Sequence, residues 1–260
     1  MSDPASNSNP GDEDRPLLTH LLELRTRLLY SGGCVLLLFL AVYPFREPLY
    51  TALANPLMAV LPAGTSMIAT QVATPFLIPL KVALAGSFFL SIPFLLYQLW
   101  AFVAPGLYRH EKRLIWPLVF SSVVLFYLGM AFAYFVVFPL VFQFFASATP
   151  DGVAMMTDIG EYLSFIMTLF FAFGASFEVP VATILLVRSG ATTRQALAAK
   201  RPFVIVGAFT IGMLLTPPDI ISQILLAVPV WLLFELGIFF SRWFESPPPR
   251  DRPPSSADDV

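Results

Sequence analysis

The chain has 260 residues, 57% of them hydrophobic and only 12% charged, with 26 Phe and a mean hydropathy of +0.75. A water-soluble globular domain carries roughly a quarter charged residues, so most of this surface is built for another solvent. The net charge of −2 argues against nucleic acid as a partner, and a single cysteine, Cys34, excludes a disulfide framework.

Residues 1–15 are mainly Ser, Asn, Asp, Glu and Pro and are expected to form a disordered polar arm. From Pro16 a short helical segment is expected, with Leu17, Leu18, Leu21, Leu22, Leu28 and Leu29 supplying an apolar face. His20, Glu23 and Arg27 fall at i, i+3 and i+7 and form one polar stripe. Such a piece lies in the membrane interface before the chain turns inward. Arg25 and Arg27, the apolar run and Ala52-Leu53-Ala54 have the outline of a cleavable leader. A polar arm precedes them, however, and the stretch from Pro44 to Pro48 separates the run from the tripeptide, so the first run is read as a retained helix.

Six apolar segments follow, at 28–44, 74–103, 114–140, 160–187, 203–215 and 220–241. A hydrocarbon core of roughly 30 Å needs about 20 residues of helix. The second and fourth segments exceed that and must tilt or kink, with Pro93 and Pro180 as the kinking residues. The fifth falls short. Its junction with the sixth, Leu215-Thr216-Pro217-Pro218-Asp219, forces a tight reversal. The pair therefore reads either as a short spanning hairpin that thins the bilayer or as an interfacial re-entrant pair. The stretch from 246 to 260 is Pro-rich and charged, and no fold is expected there. The membrane domain thus runs from 16 to 245.

Orientation follows from the cations. Thirteen of the fifteen Lys and Arg fall on one side of the six segments; only Arg46 and Lys81 disagree. That side is expected to be cytoplasmic and to hold both termini.

No Gly-rich phosphate loop or nucleophile elbow is present, and His20 and His110 lack metal-ligand spacing, so neither an enzyme nor a cofactor is expected. Glu178 lies nine residues before Val187, roughly 14 Å deep, where a carboxylate must be protonated, paired or facing a wet cavity. Pro180 frees the carbonyl of Ser176 beside it. Glu235 is six residues from Ser241 and is expected to snorkel or reach Arg242. Glu23 has a ready partner in Arg27 at i+4, and Glu111 sits in an ordinary interfacial run from Arg109 to Arg113. By composition alone both carboxylates read as anchors. They become a binding site only for a cationic ligand, since carboxylates recognise arginine in bidentate fashion.

Several of these stretches resemble one family. Leu18-Thr19-His20-Leu21-Leu22-Glu23-Leu24-Arg25 is similar to the amino-terminal signature of TatC, the multispanning subunit of the twin-arginine protein translocase. The run from Tyr97 through Tyr108, with Glu111 following, resembles its first cytoplasmic loop. Further matches are the stretches Gly129 to Phe135, Ala172 to Pro180 and Leu214 to Asp219. The resemblance covers about 16–244 and implies an all-α membrane protein of six transmembrane helices in a concave, glove-like bundle, closed by a short hairpin of the fifth and sixth helices. It also implies a bacterial inner-membrane receptor and assembly platform for signal peptides carrying two consecutive arginines on folded cargo. Its partners would be single-span TatA-type and TatB-type proteins, in an oligomeric complex driven by the proton-motive force.

By the same resemblance, Glu23 and Glu111 would hold the twin arginines, and Arg25, Phe102, Leu107 and Tyr108 would shape the site. Glu178 would line the concave face. Met213, Thr216 and Gln223 would meet partner helices, and Pro56, in the first loop, and Asp219, at the hairpin tip, would shape the far surface. The competing reading from the residues alone is a proton-coupled transporter of small solutes or ions that switches on Glu178.

Overall fold

The computed structural model describes residues 14–59, 67–107, 115–148, 156–215 and 220–243. The described residues are helical almost throughout, and their only strand-like feature is one isolated bridge between Ile68 and Asp158. In order they form α1 (Asp14–Val42), α2 (Arg46–Met58), α3 (Thr74–Leu107), α4 (Ile115–Phe132), α5 (Phe138–Ala148), α6 (Ile159–Ser176), α7 (Val179–Arg188), α8 (Arg194–Ala199), α9 (Arg201–Leu215) and α10 (Ile220–Ser241). Five stretches are long and apolar enough to cross a membrane: Thr19–Met58, Thr74–Val103, Trp116–Ala148, Ile159–Arg188 and Gln223–Ser241. The apolar helix α9 is shorter, at 15 residues or about 22 Å. This is the multi-pass, all-helical arrangement expected from the hydropathy.

Two local expectations are corrected, and the kink expected at Pro180 is found. The amino-terminal segment is not a separate interfacial piece: α1 runs unbroken for 29 residues to Val42, about 44 Å. Its interior has no proline, and the long side chains around Gly32 and Gly33 favour helix enough to carry the pair. The first loop is also partly helical. A 3-10 turn at Tyr43–Phe45 leads directly into α2, and Pro56 lies inside that helix, half-buried. The fourth segment is two helices, because Pro180 cannot donate an amide and α6 stops at Ser176 before α7 begins at Val179. Pro93, by contrast, is carried within an unbroken α3.

The third segment is continuous from Ile115 to Ala148 but widens to a π turn at Ala133–Val137. The extra residue rotates the side chains that follow. Within this turn Tyr134 donates its hydroxyl to the carbonyl of Ala52 (2.9 Å), and Tyr162 of α6 does the same to Leu53 (2.7 Å). Two tyrosines thereby satisfy backbone groups of α2.

The main core lies where α2, α3, α5 and α6 converge. Phe138, Phe142, Phe170 and Phe173 fill it, with the Phe138 and Phe170 rings 5.0 Å apart and edge-on. Nearer the Arg-rich end a second cluster joins α3, α4 and α7 through Ile92, Leu96, Trp100, Phe126 and Leu185. Outside, Leu28, Leu29, Leu36, Leu37 and Leu40 of α1 are largely exposed, as lipid-facing residues should be. Helices α4 and α6 approach closely because both are glycine at the crossing. A Cβ on Gly129 would lie 2.5 Å from the carbonyl oxygen of Phe173, and one on Gly174 2.6 Å from the Phe126 ring.

Asp158 ties the far end together. Its Oδ1 accepts from the amides of Gly160 (2.8 Å) and Glu161 (3.1 Å), capping α6, while Oδ2 accepts from the amide (2.8 Å) and hydroxyl (2.7 Å) of Thr70. Backbone bonds from Ile68 to Thr157 (3.0 Å) and from Ile159 to Ile68 (2.9 Å) flank it. The Thr70 hydroxyl and amide, with the α6 amides, pull the carboxyl from 3.8 down to about 2.

A carboxylate held this low stabilises the fold fully above its unfolded value of 3.8, and that contribution fades only as pH falls through about 2. Asp158→Ala should therefore lower the melting temperature in detergent by the same amount at pH 7 and pH 5. A deficit that shrinks at pH 5 would contradict this assignment. Gly129→Ala should cost about 1–3 kcal/mol by overpacking a backbone that cannot yield, read from thermal unfolding.

Candidate functional site

The polar stripe of α1 does not face water or lipid headgroups alone; it packs on the last turns of α3. The His20 ring stacks on Phe102 with centroids 4.1 Å apart and planes 13° from parallel. Three residues on, Glu23 receives Arg27: Nε donates to Oε1 at 2.9 Å and Nη2 to the same oxygen at 2.6 Å. Arg27 then reaches across to α3, donating from Nη1 to Gln98 Oε1 (2.9 Å) and from Nη2 to the carbonyl of Ala101 (3.3 Å). That carbonyl is available for a sequence reason. Its helical partner four residues on is Pro105, which has no amide hydrogen.

Glu23 is thus a half-exposed carboxylate with one oxygen engaged, and Arg25 beside it is exposed. Phe102 flanks the pair through His20. Leu107 ends α3, whereas Tyr108 and Glu111 lie outside the described residues, as does the side chain of Leu107. The structure therefore joins Glu23 and Phe102 in one place, with Arg25 on the adjoining surface.

Deeper in the bundle, Glu178 sits at the break between α6 and α7. Chain geometry there tightens, with the Glu178 amide donating to Ala175 (3.1 Å). Both carboxyl oxygens are buried and have no hydrogen-bond partner among the described residues, although the Ser122 hydroxyl is within interacting range. Ser122 itself is fully buried and accepts from Trp100 Nε1 at 2.8 Å. So α3, α4 and the α6–α7 break bring Trp100, Ser122 and Glu178 into one polar pocket inside the apolar bundle. Neither Trp100 nor Ser122 was singled out by the sequence; a Trp among apolar residues announces no partner.

Glu235 also departs from expectation. It does not reach Arg242 but forms a bidentate pair with Arg201, Nε to Oε1 at 2.6 Å and Nη2 to Oε2 at 2.8 Å. Arg242 instead lies over the Phe239 ring, 3.9 Å from its centroid. The reason is topological: α9 and α10 are antiparallel, which sets the start of one beside the end of the other. On this hairpin Met213 is exposed and Gln223 half-buried, while Thr216 and Asp219 lie outside the described residues. At the other end a cavity of about 400 Å³ opens between α2, α5, α6 and Leu215, lined by Phe142, Phe145, Glu161 and Thr168.

Comparison with known proteins returns one family. A model described as "Sec-independent protein translocase protein (TatC)" matches residues 19–229. The chain is 59% identical over 245 residues to the Sec-independent protein translocase protein TatC of Azotobacter chroococcum mcd 1, covering 93% of this chain and 96% of that one. It is 55% identical over 233 residues to the TatC of Escherichia coli strain K12, covering 90% of each. Among solved structures it resembles a crystal structure of the twin-arginine translocase receptor TatC, with a TM-score of 0.79 and 36% identity over 86% of this chain and 99% of that one.

Ser122→Ala should leave the Trp100 N–H buried without an acceptor and cost about 1–3 kcal/mol, measurable by thermal unfolding in detergent. Ser122→Thr, which keeps the hydroxyl, should cost less than Ser122→Ala. Equal losses would show that volume, and not the hydrogen bond, matters there.

Proposed function

The chain belongs to the TatC family, and from that premise we propose that it is the signal-peptide receptor and assembly platform of a Sec-independent, twin-arginine protein translocase. It is a membrane receptor within a translocase and not an enzyme. The observation that best supports peptide recognition is the acceptor-lined junction of α1 and α3. There a half-exposed Glu23 stands beside a stacked His20–Phe102 pair and the freed carbonyl of Ala101. Planar guanidinium groups suit such acceptors better than ammonium groups do, because an arginine presents several N–H donors in a fixed fork.

In this reading Glu23 and Glu111 receive the two arginines, with Arg25, Phe102, Leu107 and Tyr108 shaping the approach. The chain's Arg-rich end is cytoplasmic with both termini, in a bacterial inner membrane. TatA-type and TatB-type single-span proteins are its partners, meeting Met213, Thr216 and Gln223 on the α9–α10 hairpin. Pro56 and Asp219 shape the opposite surface. Glu178 offers a polar contact at depth to a partner helix or an inserting peptide, a role suited to a buried carboxyl whose oxygens are left without a hydrogen bond among the described residues.

Glu23→Ala or Glu111→Ala should weaken binding of a twin-arginine peptide by about 1–3 kcal/mol, measured by crosslinking titration in membranes containing this chain. Replacing both peptide arginines with lysines should weaken it as well. Equal capture of the two peptides would count against the receptor reading. Glu178→Ala should leave capture at the Arg-rich end intact while impairing export; normal export by that variant would remove the role given to Glu178.

A further inference from the structure

A site built to accept guanidinium groups already contains one. Arg27 uses four of its five N–H donors on three acceptors: Glu23 Oε1, Gln98 Oε1 and the Ala101 carbonyl. Two of these acceptors come from α3, so the cradle exists independently of the arginine that fills it. Gln98 presents its oxygen from a side chain, and Ala101 presents a carbonyl that Pro105 leaves without a helical donor. All three are oxygens, and all three converge on one planar group. Arg27 is the more shielded member of its ion pair, its side chain 23% exposed against 40% for Glu23. An arriving peptide thus meets the carboxylate before it meets the arginine.

Resting on the receptor reading above, we infer that Arg27 is an internal competitor for the site: it occupies the guanidinium cradle of the ligand-free chain, and a twin-arginine peptide binds by taking its place. The contest sets a threshold of affinity that a ligand must exceed. An incoming arginine can reproduce each bond that Arg27 gives up, so the exchange is close to balanced and the second peptide arginine tips it. A lysine brings three tetrahedral donors on a single nitrogen and cannot span the same three oxygens, so it loses to the resident group. Displaced, Arg27 sits at the level where α1 leaves the apolar region, and its stem is long enough to carry the charge to headgroup phosphates. Occupancy by the chain's own residue lowers the apparent affinity of every ligand that needs the cradle by the same factor, so ligands that bind the cleared cradle weakly fall below capture.

The test reads Arg27 directly in the unmodified full chain, in native membranes, with an arginine-selective dicarbonyl reagent and mass spectrometry of the fragment containing Arg27. A synthetic signal peptide with two consecutive arginines should raise Arg27 labelling several-fold, and its two-lysine counterpart should not. Simple coverage of the site would lower labelling, and a peptide that joined at the second Glu23 oxygen would leave it unchanged; either result overturns the exchange. In parallel, Arg27→Ala should bind both the twin-arginine and the two-lysine peptide more tightly, by the same factor of about ten. Weaker binding by a folded Arg27→Ala chain would make Arg27 a supporting residue and also overturn the proposal. Glu23→Ala separates the two levels. Undiminished peptide binding by that variant sinks the receptor site itself, whereas lost binding by the variant, with Arg27 labelling in the unmodified chain unchanged by the twin-arginine peptide, sinks only the exchange.

Discussion

Backbone groups inside a bilayer have no water to bond, so a helix that loses an amide must find that hydrogen bond's replacement within the protein. Two prolines make this constraint local here. Pro105 leaves the Ala101 carbonyl free at the end of α3, and Arg27 of α1 supplies the missing donor. Pro180 divides α6 from α7, and the break is where Glu178 resides with Ser122 and Trp100 nearby. Polar chemistry gathers where the ladder fails. Elsewhere rings and aliphatic side chains fill most of the bundle, and tyrosine hydroxyls meet the carbonyls of Ala52, Leu53 and Phe89.

Long cationic side chains hold the helices together at one end. Arg27 joins α1 to α3, Arg201 joins α9 to α10 through Glu235, and Arg242 lies on the aromatic end of α10. Each is a long side chain at the edge of the apolar zone, where a partly desolvated guanidinium gains more from a fixed acceptor than it would in water. At the opposite end the work falls to an anion, Asp158, which fastens the stretch after α2 to the start of α6. The two ends are thus tied by different chemistry. The aromatic core between them is held mainly by packing, with the Tyr134 and Tyr162 hydroxyls bonded to carbonyls of α2.

Close approach of α4 and α6 at Gly129 and Gly174 reaches beyond their own contact. It sets the depth at which the α6–α7 break faces α4, and so which α4 side chain, Ser122, comes within range of Glu178. A bulkier crossing would hold the carboxyl away from its neighbour. The short α9 is fastened separately, by Arg201 at its start and by Leu215 against the main core.

The sequence by itself determined the solvent, the number and rough limits of the apolar segments, the shortness of the fifth, and the family through its local motifs. These are one-dimensional quantities: hydropathy sums along the chain, and proline and charge act within a few residues. It also exposed the His20–Glu23–Arg27 stripe, since helical periodicity is local. What that stripe touches was decided only by tertiary structure, because Gln98 and Ala101 lie more than seventy residues away. The choice of Arg201 over Arg242 as the partner of Glu235, and of Ser122 for Trp100, likewise depended on which helices became neighbours. Periodicity says which way a side chain points on its own helix. It carries no information about what stands opposite, which is fixed by how grooves, glycines and freed carbonyls of separate helices fit together.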